Sequence, residues 1–194
     1  MSDFSDFFPA AGGGGGSMPI IQEFTSSGTF TPTQALIDAG GRLSFILVGA
    51  GGKSSDTTSG GSGGFVMLGY QTLTSTTGCT VTIAAGTTTP AVGGPSSVLF
   101  SSAGGTDETA AGGIRYTSPD TTEGPWGPNW GNSNTTGTAS GNGIMNMGVG
   151  ASQQNNVTGA FYYNPTYKNY GSGACGPSGS RPSGPGFLRI IYFE

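Results

Sequence analysis

Histidine is absent from this chain, and that limits the chemistry open to it. Imidazole is the commonest general base near neutral pH and the commonest metal ligand. Catalysis would have to rest on carboxylates or thiols instead. The two cysteines, Cys79 and Cys175, have no CxxC spacing, so neither a zinc site nor any other metal is expected. One disulfide or two free buried thiols would both fit, and free thiols are favoured for a chain made in a reducing cytosol. A glycosidase needs two carboxyl groups flanking one bond. Asp107, Glu108, Asp120 and Glu123 are the candidates, yet all four fall in loop-like sequence with nothing to mark a pair. Asp38 and Asp56 are placed similarly, and no EF-hand-like loop is present for calcium. The expectation is solvated loop carboxylates, no enzyme activity and no cofactor.

One stretch imitates a nucleotide site. Val48-Gly-Ala-Gly-Gly-Lys-Ser54 follows an apolar run with glycines and Lys-Ser. A P-loop needs glycine five positions before Gly52, where Leu47 stands. A dinucleotide fingerprint starting at Gly49 needs glycine or alanine where Ser54 stands. No helix former follows, so no helix N-terminus is offered to a phosphate. The six Lys and Arg residues are scattered and form no basic patch, so nucleic acid is not an expected partner.

What remains is contact chemistry. From Thr106 to Pro182 the sequence is dominated by Gly, Asn, Ser, Thr and Pro, interrupted by aromatic rings. Trp126, Trp130, Tyr162, Tyr163 and Tyr167 stand out as candidate contact residues. Such rings combine apolar area with a polar handle at low entropy cost, and sugars stack on them. A loop excursion this long is usually functional or disordered. A second set lies in Met1–Gly16, where Phe4, Phe7 and Phe8 precede a run of five glycines. Three phenylalanines cannot be buried by so short a segment alone. The segment reads as a docking arm on a flexible tether, its rings anchoring in a partner's pockets.

The elements that position these residues are strands. Leu43–Val48 is a short apolar run of β-formers, stopped by Gly49–Gly52. Glycine ends a strand because it pays the most backbone entropy there and reaches conformations other residues cannot. Phe65–Tyr70 is a second run, which Gln71–Leu73 extend. Pro19–Phe24 reads as the first strand, continued by Thr29 and Phe30 after a turn at Ser26–Gly28. Thr31-Pro-Thr-Gln34 has capping-box spacing with Thr31 as N-cap, and predicts a short helix that starts at Pro32 and continues through Ala35–Ala39, with Gly40 after it. Cys79–Ile83 alternates apolar and polar, Ser97–Phe100 is another short strand, and Phe187–Phe193 is a strongly apolar strand at the end. Together they predict an all-β chain, an antiparallel β-sandwich with long Gly/Asn/Ser-rich loops. The division is residues 1–17, arm and tether, and residues 18–194, a glycine-rich domain with an excursion at 106–182.

Composition agrees. There are 39 glycines without a Gly-X-Y period, which excludes collagen and favours irregular loops. Charged residues make up 8% and the net charge is −4, which argues against charge-driven disorder. No apolar run approaches the ~20 residues of a membrane span, so membrane insertion is not expected. No signal peptide is expected at the N-terminus.

The strand map resembles the glycine-rich domain of phage tail fibres and related virion proteins. The resemblance is carried by Glu23-Phe-Thr-Ser-Ser-Gly-Thr-Phe-Thr31, by Leu43–Gly52, by Gly63-Gly-Phe-Val-Met67 and by Thr80-Val-Thr-Ile83. It continues in Gly93-Gly-Pro-Ser-Ser-Val98 and in Gly186-Phe-Leu-Arg-Ile-Ile-Tyr-Phe193. It covers residues 20–105 and 184–194. The chain departs from the pattern at Lys53–Ser59, where Ser and Thr replace glycines, and in Thr106–Pro182. Met1–Gly16 is similar to N-terminal leaders of marine phage virion proteins. The resemblance implies a virion protein of the tail-fibre or receptor-binding type. Its expected partners are other phage structural proteins, through residues 1–16, and a host-surface glycan or protein, through the loops. A homo-oligomer, a trimer along a fibre axis, is also expected, because small glycine-rich sheets expose edges. The alternative is a capsid decoration or other structural virion protein without receptor binding.

Overall fold

In a computed structural model of the chain, the described residues are 18–53, 64–113, 170–174 and 182–194. The chain is all-β, built as two antiparallel four-stranded sheets. The strands are β1 (Ile20–Phe24), β2 (Gly28–Phe30), β3 (Arg42–Val48), β4 (Val66–Thr72), β5 (Cys79–Thr82), β6 (Ser96–Val98), β7 (Glu108–Ala110) and β8 (Phe187–Tyr192). One sheet has the order β1-β8-β3-β4 and the other β2-β5-β6-β7. The C-terminal strand therefore returns between the first strand and β3, pairing Ile21 with Ile191 on one side and Phe45 with Ile190 on the other.

Alternation decides what is buried. On β3, Leu43, Phe45 and Leu47 face inward, as do Leu188, Ile190 and Tyr192 on β8. They meet Cys79, Val81, Val98 and Phe100 from the other half of the molecule in one apolar cluster. Phe100 is central, tilted against Phe45 and edge-on to Phe30. Edge-on and tilted rings gain about 0.5–1.5 kcal/mol per pair beyond area burial. The expected strands at Leu43–Val48, Phe65–Leu68 and Leu188–Ile191 are present, but β4 has only one buried side. Leu68 and Tyr70 point outward and are exposed.

Local chemistry moved several boundaries. Thr29 and Phe30 do not lengthen the first strand. They belong to β2, which pairs with β5 in the opposite sheet. The helix α1 spans Gln34–Asp38, and its N-cap is Thr33 rather than Thr31. The Thr33 hydroxyl accepts the Leu36 N–H, while Gln34 donates to Asp38 instead of reaching back to the cap. Gly40 follows with φ +99°, the left-handed conformation expected after a helix. The α1 segment joins edge strand β2 of one sheet to inner strand β3 of the other. Phe100 is not the end of a strand but opens a 3-10 turn over Phe100–Ala103, closed by Gly104. A short strand inside the expected excursion, β7, was unseen in the sequence because Glu-Thr-Ala carries no apolar alternation.

Candidate functional site

The strand β3 runs into Gly49-Ala-Gly-Gly-Lys53, and this segment is buried along its whole length. Five other short runs pack around it: Gly64–Phe65, Ala91–Gly94, Ala111–Gly113, Gly171–Ala174 and Ser183–Gly186. A buried segment outside a sheet must still satisfy its backbone polar groups. Here each neighbour takes a share. Gly49 N–H donates to the Phe65 carbonyl at 3.0 Å, Ala50 N–H to Gly94 at 3.0 Å, and Gly51 N–H to Gly184 at 2.9 Å. Lys53 N–H donates to Ala91 at 2.8 Å, and the Gly52 carbonyl accepts from Ala174 at 2.9 Å. Ala50 and Lys53, three residues apart, thus donate to the same neighbouring run. Lys53 ends the segment in isolated β-bridges to Ala91 and Ala174.

Glycine is required here for space and not for φ. Among the described glycines, positive φ occurs at Gly40, Gly41, Gly104 and Gly171. Gly49, Gly51, Gly64, Gly93 and Gly112 keep ordinary φ. A Cβ at any of them would lie closer than 3.0 Å to a backbone carbonyl of the next run, of Ala111, Ser172, Gly49, Ala50 and Gly93 respectively. β3 does stop at Val48, where the glycines were expected to end it, but the described contacts tie Gly49 and Gly51 to close approach and not to φ. They are the axis of a bundle of close-packed backbones.

The residues flanking three further stretches of the sequence belong to the bundle or adjoin it. Residues 54–63 are flanked by Lys53 and Gly64, residues 114–169 by Gly113 and Tyr170, and residues 175–181 by Ala174 and Pro182. The roots are tied to one another. Gly64 N–H donates to the Gly171 carbonyl at 2.7 Å, Gly113 N–H to Ala50 at 2.8 Å, and Gly184 N–H to Ser172 at 2.7 Å. An apolar cap of Val48, Val66, Tyr170 and Phe187 braces them, with Tyr170 stacked on Phe187 at 4.5 Å. Tyr170, one of the rings in the aromatic-rich region, is thus structural.

The sequence-predicted contact residues Trp126, Trp130, Tyr162, Tyr163 and Tyr167 lie outside the described residues, in the stretch rooted at Gly113 and Tyr170. Phe4, Phe7 and Phe8 lie outside them too. Sequence reasoning missed Lys53 and Ser172 as base residues. Lys53 is fully buried, and Ser172 places a buried hydroxyl among the runs without a hydrogen-bond partner there. The signal that could have exposed the bundle is the recurrence of short runs dominated by Gly, Ala and Ser, with few side chains large enough for a core.

The carboxylates within the described residues have structural roles. Asp107 accepts the Ser101 N–H at 2.8 Å, and these hydrogen bonds hold its carboxyl below the usual carboxylate range. Glu108 accepts from Gln71, and Glu23 pairs with Arg189 at 2.5 Å. Cys79 is a free, buried thiol whose pKa is pushed up by desolvation, so it is a core residue and a poor nucleophile. Cys175 lies outside the described residues. No cluster of three His, Cys, Asp or Glu that could hold a metal occurs among the described residues, and no helix there is long and apolar enough to cross a membrane. What the arrangement can do is fix the residues that flank three stretches of sequence, 54–63, 114–169 and 175–181, against a sandwich. The sequence matches no protein-family model and no curated protein.

Proposed function

We propose that this chain is a phage virion protein of the tail-fibre type. It docks on the particle through Met1–Gly16 and meets the host surface through residues 114–169, within the 106–182 region. The observation that carries this reading is the common rooting of residues 54–63, 114–169 and 175–181 on one glycine bundle. Recognition loops work when a rigid scaffold holds their ends. Direct backbone hydrogen bonds between loop roots, with no side chains between them, make such a scaffold stiff. The richest stretch in Trp and Tyr is one of those held, and the described carboxylates are already engaged in structural bonds. Binding, not catalysis, is the chemistry that this supports.

Trp126 and Trp130 are the contact residues chosen for test, with Tyr162, Tyr163 and Tyr167 further along the same stretch. Changing Trp126 and Trp130 together to Ala is expected to lower adsorption to host cells more than tenfold, a loss of about 1.4 kcal/mol. Melting is measured alongside, because a buried Trp→Ala costs ~3–5 kcal/mol and would imitate a binding defect. Wild-type adsorption by a stably folded double variant would remove these two rings from the proposal.

A further inference from the structure

Among the described residues, the strand β4 is an open edge of its sheet with none of the usual protection. Proteins guard such edges with charge, proline or bulges, because an unguarded one pairs with another chain. Val66-Met-Leu-Gly-Tyr-Gln-Thr72 contains no charge and no proline, and it runs in unbroken register with β3 over all seven residues. The other edge of the same sheet, β1, carries Glu23, paired to Arg189. On β4, Leu68 is 58% exposed and Tyr70 is 85% exposed.

The hydrogen-bond alternation fixes which amides are open. Gly49 N–H donates to Phe65 at one end of the ladder and Leu73 N–H donates to Gly41 at the other. The bonded pairs of β3 and β4 are therefore those in step with Phe45 and Gly69. The backbone groups of Val66, Leu68, Tyr70 and Thr72 point the other way, to the edge, and no described residue bonds them.

We infer that β4 pairs antiparallel with β4 of a second copy of this chain, about a twofold axis at Gly69. The occupant is a second copy because the strand is its own complement. Reflected about Gly69, Leu68 stands opposite the partner's Tyr70, and Val66 opposite the partner's Thr72. All four belong to the set whose backbone groups are open. An aromatic ring opposite an aliphatic chain is a favourable cross-strand pair. Gly69 itself lies under the Phe45 ring and adds no bulk at the axis. Across the sheet Glu23 and Arg189 engage each other, and the exposed Arg42, opposite Thr72 at the end of the ladder, is the charge nearest the strand. Such a contact is isologous and closes at two copies, not at the three expected from edge exposure alone. It is narrow, below the ~800 Å² per partner of a standard interface, so the pairing is concentration-dependent.

The test is sedimentation of the full-length chain from ~1 μM to ~1 mM, beside Leu68→Lys and Tyr70→Lys. Both positions are exposed, so both variants are expected to melt like wild type. The expected result is a monomer–dimer equilibrium that each variant weakens at least tenfold. Amide exchange supplies the second measurement: Val66, Leu68, Tyr70 and Thr72 should exchange fast in dilute monomer and slow in the dimer. A wild-type chain monomeric throughout, an oligomer indifferent to both substitutions, or a trimer would overturn the proposal. So would protection of these four amides in the monomer, which would mean that the chain's own residues cover the edge.

Discussion

Replacing Gly51 by valine should lower the melting temperature by about 10 °C or more. The Cβ alone would lie closer than 3.0 Å to the Ser172 carbonyl oxygen and carbon. A flexible side chain could swing aside, but a carbonyl held by the Gly184 N–H cannot. The runs must separate, and hydrogen bonds between buried backbones go with them. Ordinary overpacking costs about 1–3 kcal/mol, and each lost bond between buried backbone groups adds about 1 kcal/mol or more. A total of about 3 kcal/mol or more is a large part of the ~5–15 kcal/mol that holds a domain folded. At 2–4 °C per kcal/mol for a chain of this size, the melting shift follows. Gly112→Ala should behave similarly, since its Cβ would meet the Gly93 carbonyl. Gly40→Ala is the control. Its φ of +99° makes alanine strained, but nothing lies within 4 Å, so only a cost of ~1–2 kcal/mol is expected. Gly51→Val melting within about 2 °C of wild type would mean that the runs are not packed as described.

The second large effect concerns assembly. Deleting Met1–Gly16 is expected to abolish incorporation into the particle while leaving the sandwich folded. In the sequence five glycines separate the three phenylalanines from the domain, and β1 begins only at Ile20. Three phenylalanines buried in a partner at ~1.5–3 kcal/mol each would hold the chain in place. Particle composition and thermal melting read the two halves of this prediction separately. Wild-type incorporation of the truncated chain would eliminate the arm as the attachment point. Failure of the truncated chain to fold would instead make the segment part of the domain.

The sandwich was legible because its strands are local statements. Leu43–Val48 and Phe187–Tyr192 are apolar over strand length, and Cys79–Thr82 alternates, so each declares its state without a partner. Pairing was legible in outline only. The apolarity of Phe187–Phe193 marks a core strand, but its place between β1 and β3 is set by tertiary contacts. The helix cap slipped by two residues because Thr31 and Thr33 are equivalent in sequence. The Leu36 amide and the Glu194 carboxylate, which accepts from the Thr33 hydroxyl, select between them. The glycine bundle was illegible for a different reason. Its signal is the absence of side chains, and absence at Gly51 looks the same whether it serves φ or close approach. Only the position of the Ser172 carbonyl distinguishes them. The rooting of three stretches of sequence on one bundle is a long-range fact, joining residues as distant as Gly52 and Ala174, and no periodicity encodes it.

The account's central claim is that the stretch held between Gly113 and Tyr170 meets the host surface. Its most direct test is adsorption of particles whose protein carries a short glycine-serine linker in place of residues 114–169. The roots at Gly113 and Tyr170 are kept, so the bundle and sandwich should melt as in the wild type. The account predicts adsorption reduced by more than tenfold at unchanged incorporation. Wild-type adsorption by particles carrying the folded, loop-replaced protein would contradict it and point to a purely structural place in the virion.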